Sequence, residues 1–340
     1  MPGVVQPGIV GARESLSDLI FTYDEGNHPF FRLVHKGGPI RNEVHQHQAD
    51  KRASANKRGW KDNTPSGAAA SMTKDRALVE SLPHWFRQPI STGKKAELIN
   101  DVAGIGKGKL YANELKKAMD AMKDAVEQVL CDDTDCRDEG VNGSETRGLG
   151  SWIQTAAQTN RPVPAAYRAK SGLIHAGTAA EFTETKLRTM GAVQYALCNN
   201  RKRMVLLSGI ELKVHISDWS RYSPTVEGFT QTRSLDKAQK DKVLQAIVDI
   251  VETDGCTYEV LPSNHLARSR DGDTNAEPAT AGLWRGYLID PDAWSLAVNQ
   301  NFEHIPLPED GGGKRGELQA IVTLCGTPIT SGKIAPSDKT

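Results

Sequence analysis

Between Phe30 and Ser81 lies a stretch of about 50 residues that cannot bury itself. It is polar and basic, poor in large apolar side chains, and interrupted by Gly37, Gly38, Pro39, Gly59, Pro65 and Gly67. Structureless insertions of that length are rare inside compact domains, so the stretch is expected to be an extended two-stranded flap or a tail. A flap that hides little of its own surface must gain its order from outside, most simply from an adjoining copy of the chain. Alternation in Ile40-Arg41-Asn42-Glu43-Val44-His45 marks one place for a strand.

The remainder has enough material for a core. With 340 residues and 38% apolar content, the chain is long enough for about two globular units. Lysine plus arginine equals aspartate plus glutamate at 42 each, so no global field draws the protein onto nucleic acid or an anionic membrane. Partners must be sought in local patches, and the lack of net repulsion permits dense self-association. The five cysteines are odd in number and scattered, which fits a reducing compartment better than a disulfide framework. Cys131 and Cys136 lie close together but lack a second pair at metal spacing, and read as two thiols near a helix end. No window holds the roughly 20 apolar residues of a spanning helix, and Met1 to Ile9 is not a secretion signal.

Residues 1–29 read as an arm with one small helix at Leu16, Leu19 and Ile20. The clearest helix runs from Lys109 to Leu130, with Leu115, Met119, Met122, Val126, Val129 and Leu130 recurring at spacings of three and four. Its other face carries Lys116, Lys117, Asp120, Lys123, Asp124 and Glu127. A second unit alternates helices and strands. Thr183 is placed to cap a helix from Glu184 to Leu197, with Phe182 and Leu187 forming a hydrophobic staple. Met204 to Leu207 reads as a buried strand, followed after Ser208-Gly209 by a helix through Trp219. Val243 to Val251 and Cys256 to Leu261 flank the hairpin signal Asp254-Gly255. Gly286 to Ile289 and Trp294 to Val298 flank a turn at Asp290-Pro291-Asp292, and Leu318 to Leu324 reads as a terminal strand.

Chemistry is sparse. Gly104-Ile105-Gly106-Lys107-Gly108-Lys109 lacks the spacing and the hydroxyl of a phosphate cradle, and its glycines are read as easing a tight turn into the helix. His45 and His47 share a strand face without a third ligand nearby in sequence, so they read as solvated flap residues. No nucleophile elbow, metalloprotease or paired-carboxylate motif is recognisable. The expectation is therefore no catalytic residue, no cofactor and no metal. Charge gives the sharpest local signal: Lys51, Arg52, Lys57, Arg58 and Lys61 without an acid among them, and Asp132, Asp133, Asp135, Asp138 and Glu139 just beyond the long helix. Acids at a helix C-terminus oppose its dipole, by about 0.3–1 kcal/mol each in the last turn, so something must compensate them. The basic tip of one copy meeting this acidic surface of its neighbour is the inter-subunit contact this predicts. Packaged DNA is the rival partner for the cations.

Four stretches, taken in order, resemble the major capsid proteins of the phage SU-ten type, which have the HK-ninety-seven fold of tailed-phage capsids. They are Gly11-Ala12-Arg13-Glu14-Ser15-Leu16-Ser17-Asp18-Leu19-Ile20 with Asn27-His28-Pro29-Phe30; Asp101-Val102-Ala103-Gly104-Ile105-Gly106-Lys107; Arg147-Gly148-Leu149-Gly150-Ser151-Trp152-Ile153; and Leu288-Ile289-Asp290-Pro291-Asp292-Ala293-Trp294, continued by Leu307-Pro308-Glu309-Asp310-Gly311 and Lys314-Arg315-Gly316-Glu317-Leu318. The likeness spans Gly11 to Ile334, and residues 221–242 and 269–282 match nothing in the family pattern.

The resemblance implies an α+β fold: an N-terminal arm over 1–29, an extended E-loop hairpin over 30–85, and a P-domain with the long spine helix over 86–140. An A-domain over 141–298 and P-domain return strands with the C-terminus over 299–340 complete it. It further implies a structural protein, not an enzyme, that self-assembles into hexamers and pentamers of an icosahedral head enclosing double-stranded DNA. Expected partners are copies of itself, a portal, separate scaffold or decoration proteins and, non-specifically, packaged DNA, with no membrane. The expected location is the virion capsid, assembled in the host cytoplasm. No lysine and asparagine pair can be nominated for covalent crosslinking. An encapsulin-type shell protein of the same fold is the near alternative; a cytosolic α/β enzyme or a nucleic-acid-binding protein is the alternative from another class.

Overall fold

The computed structural model describes residues 28–55, 57, 61–63, 72–99, 109–140, 143–219, 248–267, 280–309 and 312–335. The arm helix expected near Leu16, the glycine-rich turn at 104–108, and the segments 221–242 and 269–279 lie outside these residues.

A one-and-a-half-turn helix, α1 (Pro29–Leu33), opens the described chain, with proline supplying the preset φ of a first helical position. Strands β1 (His35–Pro39), β2 (His45–Arg52), β3 (Thr73–Ser81) and β4 (His84–Ser91) follow, then α2 (Lys94–Ile99) and the long α3 (Leu110–Cys131). The strand expected at Ile40 to His45 is displaced: residues 40–44 form a bend between β1 and β2. Next come α4 (Leu149–Trp152), β5 (Ile174–His175), α5 (Glu184–Cys198), β6 (Lys202–Ser208), α6 (Ile210–Trp219), β7 (Ile250–Glu252) and β8 (Cys256–Pro262). The last described elements are α7 (Thr280–Leu283), β9 (Gly286–Ile289), β10 (Trp294–Leu307), β11 (Arg315–Gly326) and β12 (Gly332–Ile334).

The strands form three sheets. One has the order β1-β10-β11-β4, with β10 and β11 a long antiparallel hairpin paired from Trp294 opposite Gly326 to Leu307 opposite Arg315 with two register shifts between. Helix α3 packs on this sheet. At about 1.5 Å per residue its 22 residues make a rod of about 33 Å. Met122, Val126, Val129 and Leu130 from α3 join Phe86, Leu318, Ala320, Val322 and Leu324 from the strands in one core. Trp152 and Trp294, both buried, meet edge to face there at 6.0 Å between ring centres.

A mixed six-stranded sheet, β5-β12-β9-β6-β8-β7, holds the second core under α5 and α6. Met204 and Leu206 of β6 enter that core while Leu207 enters the first, which is why the strand reads as an unbroken apolar run. Leu288 and its neighbours Tyr287 and Ile289 in β9 split the same way. The two units thus share a wall.

Three sequence expectations need correction. Glu127, placed on the polar face of the long helix, is fully buried. The C-terminal end of α3 is covered on all sides, which a helical wheel drawn for one buried stripe does not anticipate. Thr183 is the N-cap of α5 but its side chain makes no capping bond, so the helix start rests on Phe182 and Leu187, both buried in the second core. The strand expected to be terminal is longer, Arg315–Gly326, and β12 comes after it, pairing with β5 and β9 in the six-stranded sheet.

Among the described residues, strands β2 and β3 pair only with each other. This hairpin occupies 45–81 within the expected 30–85 segment, because β1 and β4 on its flanks are strands of the four-stranded sheet.

Candidate assembly interface

One face of the hairpin is fastened to the body as far as Ala49, which stands opposite Ala77, and the described residues beyond that pair are exposed or half-buried. Val79 and Ala49 are buried, and the His47 ring lies with Nε2 3.3 Å from the Gly326 carbonyl, which accepts its proton. Burial outweighs that bond and holds the His47 imidazole below its ordinary pKa. Arg161 reaches Glu80 at 2.7 Å. Leu78, opposite Gln48 on the other face of the ribbon, and Met72, further out, are each more than half exposed. His45 and His47 are half-buried as alternate residues of β2 and are not part of any metal-capable group among the described residues.

Cations gather at the far end. Lys51, Arg52, Lys57 and Lys61 are exposed, while Arg58 lies outside the described residues. Lys51 stands directly across from Lys74 of β3, a basic residue that the reading of 51–61 did not include. Like charges opposite one another on a two-stranded ribbon repel by a few tenths of a kcal/mol or more, roughly. Next to this pair the register shifts, and Asp75 takes a left-handed φ of 59° that an aspartate tolerates at a bulge.

The acidic turn after α3 is arranged differently from the expectation. Asp132, the C-cap of α3, is buried and accepts from its neighbours' groups, the Asp133 N–H at 2.7 Å and the Thr134 hydroxyl. Asp133 receives Lys333 at 2.6 Å, Arg285 at 3.1 Å and the Tyr287 hydroxyl at 3.2 Å. Asp135 receives the Arg147 guanidinium at 2.7 Å and the Asn160 N–H at 3.1 Å. Burial pushes the Asp135 carboxyl upward, but those donors overcome it and hold the group below its ordinary pKa. Asp138 receives Arg161 at 2.6 Å. The compensation that these acids require at a helix C-terminus therefore comes largely from the same chain. Asp138, 58% exposed at its side chain, and the exposed Glu139 are the members that face outward.

Arg147 is the hub of this turn. It is 1% exposed, donates to the carbonyls of Asn160 and Arg161, and lies 4.8 Å over the Trp152 ring. The following Gly148 is dictated by packing: a Cβ there would stand 2.2 Å from the Asp132 carbonyl oxygen. The motif Arg147-Gly148-Leu149-Gly150 thus locks the chain leaving the turn against the end of α3.

Between the hairpin base and this turn lies a cleft of about 830 Å³, lined by Ile40, Glu43, Trp85, Glu139, Arg161 and their neighbours. Trp85 is half exposed, with the Arg87 guanidinium 4.7 Å from its ring centre. Neither residue was singled out by sequence reading, since the mixed sequence His84–Ser91 carries no clear strand pattern. Among the described residues, His28, Asp124 and His265 form the group able to ligate a metal ion.

A projecting hairpin, a spine helix on a long-stranded sheet and a second sheet sharing one wall with the first define a subunit of the tailed-phage capsid fold. Solved structures agree. The chain is similar to the capsid of a native GTA particle (11% identity, TM-score 0.60, covering 98% of this chain and 97% of that one). It is similar to the capsid of cyanophage P-SCSP1u (11% identity, TM-score 0.61, 99% and 97%) and to that of cyanophage A-1(L) (13% identity, TM-score 0.60, 97% and 97%). No curated protein matches the sequence. The chain belongs to the SU10 major capsid protein family, whose model matches residues 4–335. Its role is that of a structural capsid protein.

Proposed function

We propose that this chain forms hexamers and pentamers of an icosahedral phage head through heterologous, ring-closing contacts in which the β2–β3 hairpin of one copy lies over the next. The observation that carries this reading is a hairpin that pairs with no other described strand and exposes Leu78 on its outward face and, towards its tip, Met72 and a cluster of cations. The division into arm (1–29), E-loop (30–85), spine-bearing P-domain (86–140), A-domain (141–298) and return strands (299–340) is part of the same proposal. So are double-stranded DNA as contents, assembly in the host cytoplasm, and a portal and a separate scaffold as further partners.

Within the proposed contact, Lys51, Arg52, Lys57, Arg58 and Lys61 meet the outward acids of the neighbour's turn, Asp138 and Glu139. Asp132, Asp133 and Asp135 act behind them by setting the shape of that turn. Complementary charges of this kind fix register and partner choice more than they add affinity. The test is the double substitution Lys57→Glu with Arg58→Glu, read by electron microscopy and sedimentation. Closed shells are expected from the parent chain, and unclosed capsomers or free subunits with an unchanged circular dichroism spectrum from the variant. Normal shells from the variant would refute the contact. DNA as the true partner of these cations would instead show as normal shells whose DNA retention weakens steeply with salt.

A further inference from the structure

We propose that His28, Asp124 and His265 form a binding site for a divalent transition metal, zinc being the ion that suits them best. The three residues are far apart in sequence and arrive from different elements: His28 immediately precedes α1, Asp124 lies in α3, and His265 sits in the short 3-10 turn 264–267 after β8. Each offers one ligand atom, and all three atoms lie within 4.8 Å of one another. Both imidazoles bring a nitrogen to the same carboxylate oxygen, His28 Nδ1 at 3.1 Å and His265 Nε2 at 3.6 Å from Asp124 Oδ1. Ligands on one tetrahedral zinc with bonds of about 2.0–2.1 Å stand roughly 3.3 Å apart, so two of the three separations already match and the third needs a small closure.

Burial and chemistry point the same way. His28 and His265 are 6% and 5% exposed, and their rings lie nearly parallel at 6.2 Å. His28 Nδ1 is buried, and among the described residues it has no hydrogen-bond partner, its approach to Asp124 failing as a hydrogen bond in spite of the short distance. Two imidazoles and one carboxylate are a donor set favoured by zinc and neighbouring first-row ions, with a position left for water. Lys123, the cation next to Asp124 in sequence, is paired with Asp120 at 3.2 Å. An ion here would fasten three pieces of chain in one place: the segment leading out of the arm, the spine helix, and the turn after β8. The site is independent of the proposed inter-subunit contact.

The experiment uses the full-length chain, stripped with a chelator, dialysed, and titrated with zinc alone and with cobalt(II) alone. About one zinc per chain retained through dialysis is expected, together with a visible absorption band on cobalt binding and a rise in melting temperature on adding zinc. His265→Gln and Asp124→Asn should each weaken zinc binding by about tenfold to a hundredfold or more and abolish the melting shift. If a variant does not fold, the titration of the parent chain still decides the matter. Retained zinc well below one per chain with no cobalt band overturns the proposal, as does equal binding by parent and variants, which would leave only a structural histidine and carboxylate cluster.

Discussion

Glu127 shows how much one side chain can hold. Its two carboxylate oxygens accept the N–H groups of Phe30 and Phe31 at 2.8 and 2.7 Å, pinning the first turn of α1 to the spine helix and placing Phe30 in the core. Burial is the larger influence on its titration and outweighs those donors, raising its pKa from 4.5 to about 7. Between those values the folded chain keeps a proton that the unfolded chain has released, so the contribution of Glu127 to folding stability falls as pH rises from about 4.5 to about 7 and is level above that. Glu127→Gln, which imitates the protonated acid, should flatten that slope by about 1–3 kcal/mol in denaturant melts at pH 5 and pH 8. A parent slope retained in the variant would assign the pH dependence to another group. Arg147 is a second such residue. Arg147→Ala leaves Asp135 partly buried beside it and is expected to cost about 2–4 kcal/mol in the same melts, somewhat below a fully enclosed pair because Asp135 is 24% exposed. Neither role could be read from sequence. Glu127 sits where a helical wheel puts solvent, and the partners of Arg147 are loop carbonyls and a carboxylate brought together by a turn. His28, Asp124 and His265 escaped for the same reason, being united only by the packing of three distant segments.

At the scale of elements, local patterns read well and long-range ones did not. The spine helix and α5 were legible to within a residue because their apolar spacing is set by their own geometry. Strands β10 and β11 were seen only in their apolar parts, near Trp294 and Leu318. Beyond Val298 the register of β10 shifts twice and its side chains are largely polar and alternate in exposure, so hydrophobicity marks only half its length. The hairpin was foreseen as a flap because its composition denies it a core, whereas the counter-ions of the acidic turn, Lys333, Arg285 and Arg161, lie too far along the chain to be paired by inspection. The hairpin should therefore be separable from the body. Replacing residues 54–71 with a two-residue turn, which keeps the Ala53 N–H to Met72 carbonyl bond at 2.8 Å, should shift the melting temperature by less than about 2 °C and abolish shell formation. A large loss of subunit stability would place the outer hairpin within the fold's own support.

On the scale of the whole molecule, the two cores are coupled through β6 and β9, whose alternate side chains enter one or the other. Leu206→Ala and Leu207→Ala open cavities on opposite sides of the same strand and should each cost about 2–5 kcal/mol. Calorimetry is expected to show one transition for the parent and for both variants; two resolved transitions in either variant would mean that the units unfold separately.

The path of the last strands carries a mechanical consequence. The backbone leaves the six-stranded sheet after β9, runs out and back through β10 and β11 in the four-stranded sheet, and then returns as β12 to lie between β5 and β9. That route works as a stitch. A load pulling the two plates apart must shear β12 from both its neighbours and tear Lys333 from Asp133, so strain imposed on one plate is transmitted to the other instead of being spent at a hinge.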